Sequence, residues 1–137
     1  MPLVTGRGKQ LITDAVNADL ITTDLALYEA CNSLWKIATL LRTISLEEAI
    51  SVAAALQELA LKNVIQVVSF NKLDFSSTLE LAHKEKLTFY DASYIAIAEN
   101  KKATLVTDDG KLKKAAEKLV KTENYASLEN MLAKQRN

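Results

Sequence analysis

The hydrophobic and polar positions of this chain follow two alternating patterns. In several stretches apolar residues recur every three or four positions, which is typical of a helix that buries one face. Between these stretches lie short apolar, β-branched runs, which are typical of buried strands. The predicted strands are residues 20–23, 64–69 and 104–107, with a short edge strand at residues 124–127. The predicted helices are residues 9–17, 24–42, 46–62 and 77–86, one begun by Asp91, a lysine-rich one directly after Asp109, and residues 128–134.

Hydroxyl and carboxylate residues mark the expected starts of three helices. Such side chains accept hydrogen bonds from the free N–H groups of a first turn, and a glutamate three residues later can complete a capping box. The predicted caps are Thr23 or Asp24, the pair Ser45 and Glu48, and the pair Ser77 and Glu80.

The apolar stripes predict which helix faces are buried. In helix 24–42 the predicted stripe is Leu27, Ala30, Cys31, Leu34, Ala38 and Leu41. In helix 46–62 it is Leu46, Ala49, Ile50, Ala53, Leu56 and Leu59 or Ala60. In the lysine-rich helix it is Leu112, Ala115, Ala116, Leu119 and Val120.

The order of these elements predicts an α/β fold. Strands separated by helices pair in parallel through right-handed crossovers, with helices on both faces of the sheet. We therefore expect a three-layer α/β/α parallel sheet. Because no linker or low-complexity tract interrupts the pattern, residues 1–137 are predicted to form a single domain.

Composition narrows the class of protein. Charges interrupt every apolar run before it reaches membrane-spanning length, and no signal peptide is evident. The single cysteine, Cys31, cannot form an internal disulfide, which suits the cytoplasm. The net charge is zero, but seven lysines fall within residues 101–121. They could hold a phosphate backbone, or they could simply solvate one helix face.

Three acidic residues lie near predicted helix N-termini: Glu29, Asp91 and Asp109. Each has a structural explanation, because carboxylates there are favoured by the helix dipole and can accept backbone hydrogen bonds. The alternative is a shared cation site, since functional groups gather at the carboxyl edge of a parallel sheet. Carboxylates without histidine are the ligand set expected for Mg²⁺ or Mn²⁺.

The remaining reactive or aromatic residues suggest no other chemistry. His83, the only histidine, lies in a helix of mixed polarity, where we expect it at the surface or half-buried and remote from these acids, which argues against a catalytic triad or a zinc site. Trp35 and the tyrosines are scattered and form no ladder for stacking bases. Tyr90 adjoins Asp91, and we expect it to pack in the core.

Two segments of the chain resemble the PIN domain family, the nuclease fold of VapC-type toxins. They are LITTDLALYEACNSLWK at residues 20–36 and LTFYDASYIAIAENKKATLVTDD at residues 87–109. With the helical span between them, the resemblance covers about residues 18–121. It implies a parallel sheet between helices, RNA cleavage with Mg²⁺ or Mn²⁺ held by four acids, an antitoxin partner and a homodimer.

The resemblance also implies roles for individual residues. Glu29 resembles the second acid of the family, Asp91 the third and Asp109 the fourth. Asp108 occupies a variable position, from which it could substitute or assist. Thr107 resembles the hydroxyl that orients a ligand or water.

The chain departs from the family at its N-terminus. The family's first acid ends an N-terminal strand in the middle of the sheet. Residues 11–16, LITDAV, look like that strand and would make Asp14 the first acid. However, three residues before Leu20 are too few for a crossover between parallel strands. We therefore expect the usual central strand to be missing, in a chain either naturally shortened or begun downstream of its natural start, with weaker metal binding and activity.

Three functions follow from these patterns. The first is a Mg²⁺- or Mn²⁺-dependent ribonuclease, the toxin of a toxin–antitoxin pair. The second is a non-catalytic PIN-like scaffold that binds RNA or a protein. The third is a phospho-acceptor signalling domain, against which stands the lack of a lysine at the end of a late strand.

Overall fold

The computed structural model describes residues 19–136 and divides into two compact units, Met1–Val68 and Ser69–Asn137. The predicted helix at residues 9–17 and the strand-like residues 11–16, including Asp14, lie outside the described part of the chain. None of the helices in residues 19–136 combines the length and the apolar character that a membrane crossing requires.

The first unit contains two strands that pair in parallel, as predicted. Leu20 lies opposite Ile65 and Thr23 opposite Val68. The elements are β1 (Leu20–Thr23), α1 (Asp24–Trp35), a π-helical segment (Lys36–Leu41), α2 (Leu46–Leu61) and β2 (Ile65–Val68).

Side-chain caps begin both helices of this unit. The Thr23 Oγ1 accepts a hydrogen bond from the Ala26 N–H at 3.0 Å, so Thr23 is the cap of α1. The predicted capping box of α2 is confirmed, because Ser45 and Glu48 each accept the other's backbone N–H at 3.1 Å. These bonds satisfy donors that the first helical turn leaves free.

The core of the first unit is smaller than the predicted stripes. Its buried side chains are Leu34, Ala49 and Val52, with Ala38, Ile44, Ala53 and Leu56 packed against them. The prediction was wrong for Leu41, Leu46 and Ile50, which are exposed, and for Cys31, which is also exposed. For Leu41 the reason is the π-helical segment Lys36–Leu41, whose wider turns shift its side chains off a 3.6-residue stripe.

The second unit contains the other two strands, which also pair in parallel. Leu105 lies opposite Thr122, and the Thr107 N–H donates to the Glu123 carbonyl at 3.0 Å. The elements are a 3₁₀ turn (Phe70–Lys72), α3 (Phe75–Glu85), α4 (Phe89–Lys101), β3 (Leu105–Val106), α5 (Gly110–Ala116), β4 (Thr122–Glu123) and α6 (Tyr125–Arg136).

Two predicted boundaries in this unit were wrong. The cap of α3 is Asp74, whose carboxylate accepts the Ser77 N–H at 3.2 Å, so Ser77 already lies inside the helix. The predicted edge strand at residues 124–127 is instead the start of α6, and the strand is Thr122–Glu123. Asn124 accepts the Ser127 N–H at 2.7 Å, as the first turn of a helix requires.

One hydrophobic cluster joins the helices of the second unit. Its buried members are Leu87, Ile95, Leu112, Ala115 and Ala116, and Leu81, Tyr94, Leu105 and Val120 pack against them. The prediction for the lysine-rich helix is thus largely confirmed, except that Leu119 is 43% exposed. The parallel strands with intervening helices confirm the predicted α/β class.

Candidate active site

Asp91 lies in the first turn of α4. The helix is capped by Thr88, whose Oγ1 accepts the Asp91 N–H at 3.1 Å. The Asp91 side chain is half-buried, and its carboxylate has no hydrogen-bond or ion-pair partner within residues 19–136.

Asp109 is the cap of α5, directly after β3. Its Oδ1 accepts the N–H groups of Lys111 and Leu112 at 3.0 and 3.1 Å. Its own N–H donates to the Thr107 Oγ1 at 3.1 Å, so the predicted orienting hydroxyl holds the backbone of this aspartate. These bonds use one carboxylate oxygen and leave Oδ2 outside the capping pattern.

Asp91 and Asp109 lie at the starts of two helices that pack on the same hydrophobic cluster. Ile95, one turn after Asp91 on the same helix face, and Leu112, one turn after Asp109, both belong to it. Each acid thus lies about one turn before a buried member of this cluster along its own helix.

Asp108 has a structural task. Its Oδ1 accepts the Tyr125 N–H at 2.9 Å, which connects the end of β3 to the start of α6 across seventeen residues. Aspartate commonly accepts N–H groups at the start of a helix. Here the helix begins seventeen residues later in the chain, so the sequence alone could not reveal this role. Asp108, which was predicted to substitute for a metal ligand or to assist one, thus has a carboxylate oxygen that accepts a hydrogen bond from the first N–H of α6.

Glu29 lies in α1 of the first unit and is exposed, as is Tyr28 before it. Asp91 and Asp109 lie in the second unit, each one turn from a member of the same cluster, and Glu29 lies in the first. Within neither unit, taken over residues 19–136, do three or more His, Cys, Asp or Glu side chains gather closely enough to hold a metal ion. The donors themselves are of the right chemistry, because carboxylate oxygens are the ligands of Mg²⁺ and Mn²⁺.

The lysines after Asp109 are mostly solvent-exposed. Lys111 and Lys114 are exposed and Lys113 is half-buried. Lys118 instead pairs with Glu85 at 2.9 Å, which ties the end of α5 to α3. Lys118 therefore has a structural role, whereas Lys111 and Lys114 are open to solvent and available to an anion.

Aromatic side chains form a feature that the sequence pattern did not reveal. The rings of Phe70 and Phe75 lie 6.4 Å apart between centroids, and Phe75 meets Phe89 edge-on at 5.9 Å. Tyr90 is 58% exposed, so the prediction that it packs in the core was wrong. The spacing of residues along the chain could not predict the phenylalanine cluster, because Phe70, Phe75 and Phe89 lie in three different elements. His83 is exposed, as expected.

The chain is similar in sequence to a known protein family and to two named proteins. The PIN domain family model matches residues 7–118. The chain is 37% identical over 113 residues to Exonuclease VapC9 of Pyrobaculum aerophilum, covering 80% of this chain and 72% of the relative. It is 38% identical over 96 residues to Ribonuclease VapC3 of the same organism, covering 69% of each.

The fold has a similar solved structure. The crystal structure of PAE2754 from Pyrobaculum aerophilum superposes with a TM-score of 0.67 at 28% identity, covering 88% of this chain and 83% of that one. The family model covers most of the chain, and two relatives and a solved structure are similar to it. The chain belongs to the PIN domain family.

Proposed function

We propose that this protein is a metal-dependent ribonuclease and the toxin of a toxin–antitoxin pair. The observation that carries the proposal is Asp91, a half-buried residue whose carboxylate has no hydrogen-bond or ion-pair partner within residues 19–136. It lies one turn before Ile95, which belongs to the same cluster as Leu112, one turn after Asp109. The nuclease names of the relatives support the proposal.

The proposed ligands of Mg²⁺ or Mn²⁺ are Asp91, Asp109 and Glu29. Asp91 and Asp109 are supported by the geometry of the second unit, and Glu29 by the resemblance of its motif alone. In such a site the ion supplies a deprotonated water and neutralises charge on the phosphodiester. Thr88 and Thr107 position the backbone of the two aspartates through their hydroxyl groups.

Other residues would act on the substrate and on the stability of the site. Lys111 and Lys114, exposed on the helix that Asp109 begins, are placed to contact RNA phosphates. Capping of α5 fixes one oxygen of Asp109 and so limits the directions in which the other can face.

A protein with these features would form one domain over residues 1–137, work in the cytoplasm, act as a homodimer and be neutralised by an antitoxin.

The test is the Asp91→Asn variant, which keeps the side-chain shape and removes its charge. We expect it to lose metal-dependent cleavage of single-stranded RNA, because one ligand and its charge are gone. The matched control is Asp74→Asn, a helix cap outside the site that asparagine also serves. Cleavage by Asp91→Asn at the wild-type rate, or cleavage by the wild type that persists in EDTA, would exclude this mechanism.

A non-catalytic scaffold is the second candidate. It is favoured by the finding that neither unit, within residues 19–136, gathers three possible metal-ligating side chains. Mn²⁺ titration calorimetry separates the two functions: the ribonuclease requires binding that Asp109→Asn removes and Asp74→Asn retains. An absence of Mn²⁺ binding together with unchanged RNA binding would support the scaffold.

A further inference from the structure

The segment between β3 and α5 is three residues long, and hydrogen bonds hold it at each of them. The Thr107 N–H donates to the Glu123 carbonyl at 3.0 Å, which continues the pairing of β3 with β4. The Asp108 Oδ1 accepts the Tyr125 N–H at 2.9 Å. The Asp109 N–H donates to the Thr107 Oγ1 at 3.1 Å, and the Asp109 Oδ1 caps α5. The proposed ligand Asp109 therefore follows a backbone that is held on both sides.

The Tyr125 N–H is a donor that its own helix cannot satisfy. Tyr125 is the first residue of α6, and the first N–H groups of a helix have no intrahelical acceptor. The Asn124 side chain accepts the Ser127 N–H at 2.7 Å, so this cap serves a later donor. Asp108 supplies the missing acceptor, and its negative charge is favourable at a helix N-terminus. The bond thus links the residue before Asp109 to a whole helix.

Helix α6 is packed against the protein rather than free in solvent. The Tyr125 hydroxyl oxygen is buried, and Leu132, about two turns later, is only 3% exposed. A donor on a packed helix has a fixed position, whereas a water molecule that takes its place has none. The bond from Tyr125 therefore restrains Asp108 in a way that solvent would not.

From these contacts we infer that Asp108 is a positioning residue, whose bond to the Tyr125 N–H fixes the backbone of Asp109 and the direction in which the Asp109 Oδ2 is presented. The inference rests on the proposed metal-dependent ribonuclease and assigns Asp108 a role other than that of a ligand. Without this restraint the Asp109 carboxylate has more directions open to it. Metal binding then has to select one of them, so the affinity falls although no ligand is lost.

Two simpler roles of Asp108 predict different behaviour. As a metal ligand it would act through its charge, and every neutral replacement would weaken metal binding equally. As a purely stabilising residue it would change the free energy of unfolding and leave the metal affinity of the folded protein unchanged. Positioning differs from both, because it requires an acceptor oxygen at residue 108 but no charge.

The experiment measures Mn²⁺ binding to the full chain by titration calorimetry. We expect Asp108→Ala to weaken binding about fivefold, the size that loss of one hydrogen bond allows. Asp108→Asn keeps an acceptor oxygen and should bind within about twofold of the wild type, since an exposed charge is screened by salt. Equal weakening by both variants, or wild-type affinity in Asp108→Ala, would overturn the inference.

The donor can be removed as well as the acceptor. Proline has no N–H and is favoured at the first position of a helix, so Tyr125→Pro deletes the donor. Tyr125→Ala loses the ring but keeps the N–H and is the matched control. We expect Tyr125→Pro to weaken Mn²⁺ binding about fivefold more than Tyr125→Ala does. Asp108→Ala should then add nothing to Tyr125→Pro, because both changes break one bond, and additive effects would contradict the inference.

A further readout needs neither metal nor RNA. The N–H groups of Lys111 and Leu112 report on the Asp109 carboxylate, because both donate to its Oδ1. In EDTA we expect their hydrogen exchange to be about fivefold faster in Asp108→Ala and unchanged in Asp108→Asn. Unchanged exchange in Asp108→Ala would show that Asp108 does not restrain its neighbour.

The outcomes separate this inference from the proposed function. If Asp91→Asn loses cleavage while Asp108→Ala binds Mn²⁺ as the wild type does, the positioning role is wrong and the ribonuclease stands. If the wild type binds no Mn²⁺ and cleaves nothing, but exchange at Lys111 and Leu112 rises in Asp108→Ala, the ribonuclease is wrong and the restraint on Asp109 stands.

Discussion

Asp108 and Asp109 are adjacent in the chain but accept hydrogen bonds from two different helices. Asp109 caps α5, which follows at once, while Asp108 reaches the first N–H of α6. The cap at Asp109 is compatible with metal binding because it uses one carboxylate oxygen. At this position the structural and the proposed catalytic roles therefore belong to the same side chain.

Substitutions of Asp109 can separate the two roles. Asparagine can still cap α5 but lacks the charge, whereas alanine can do neither. We expect both variants to lose Mn²⁺ binding, and only Asp109→Ala to lower the free energy of unfolding, by about 1 kcal/mol. Urea denaturation measures the second quantity and calorimetry the first. Equal unfolding free energies for the two variants would show that the cap contributes no stability.

The site could be predicted from the sequence only as far as local chemistry determines it. Asp91 and Asp109 were expected near helix starts, and they lie there. Asp109 caps α5 with its carboxylate, whereas Asp91 lies in the first turn of a helix that Thr88 caps. The bond from Tyr125 to Asp108 and the exposure of Tyr90 depend on packing between distant residues. No pattern of nearby positions encodes such contacts, so these two assignments required the structure.

Among the elements, the two strands and the capped helices of the first unit followed the sequence pattern closely. The runs predicted at residues 20–23 and 64–69 became β1 and β2 within two residues at either end. Helix faces were less predictable, as exposed Cys31 and Leu41 show. A change to π-helical turns alters the angle between successive side chains, and nothing in the residue types between Lys36 and Leu41 signals it.

The capping box of α2 offers a test at the scale of one element. Ser45→Ala removes the acceptor of the Glu48 N–H and should lower the free energy of unfolding by about 1 kcal/mol. Ser51→Ala is a suitable control, because this exposed serine lies inside the same helix, where alanine is favoured. If both changes have the same effect on urea denaturation, the box does not stabilise the helix.

Over the whole molecule, one family model spans both compact units. The match at residues 7–118 crosses the boundary between Val68 and Ser69, and the single domain stays a prediction. Each unit nevertheless has its own buried cluster, around Leu34 in the first and around the fully buried Ile95 in the second. Whether the clusters unfold together is an experimental question about cooperativity.

Cavity-forming substitutions in the two clusters test whether the clusters unfold together. Leu34→Ala and Ile95→Ala should each destabilise the protein by about 2–5 kcal/mol, because each removes buried methyl groups. For a single domain we expect each variant to shift one shared thermal transition followed by calorimetry and circular dichroism. Leu119→Ala, at a 43% exposed position, should change it far less. Two separate transitions, each moved by only one variant, would contradict the single-domain prediction.

The hydrogen bond between Tyr125 and Asp108 gives the carboxyl-terminal helix an influence beyond its own residues. The family match stops at residue 118, yet the N–H that anchors the segment before Asp109 belongs to residue 125. Shortening the chain to residue 121 would preserve every acid of the proposed site but remove this anchor together with β4, the strand that pairs with β3. The proposed cleavage would then depend on a tail that carries none of the proposed ligands, because that tail keeps the backbone before Asp109 in place.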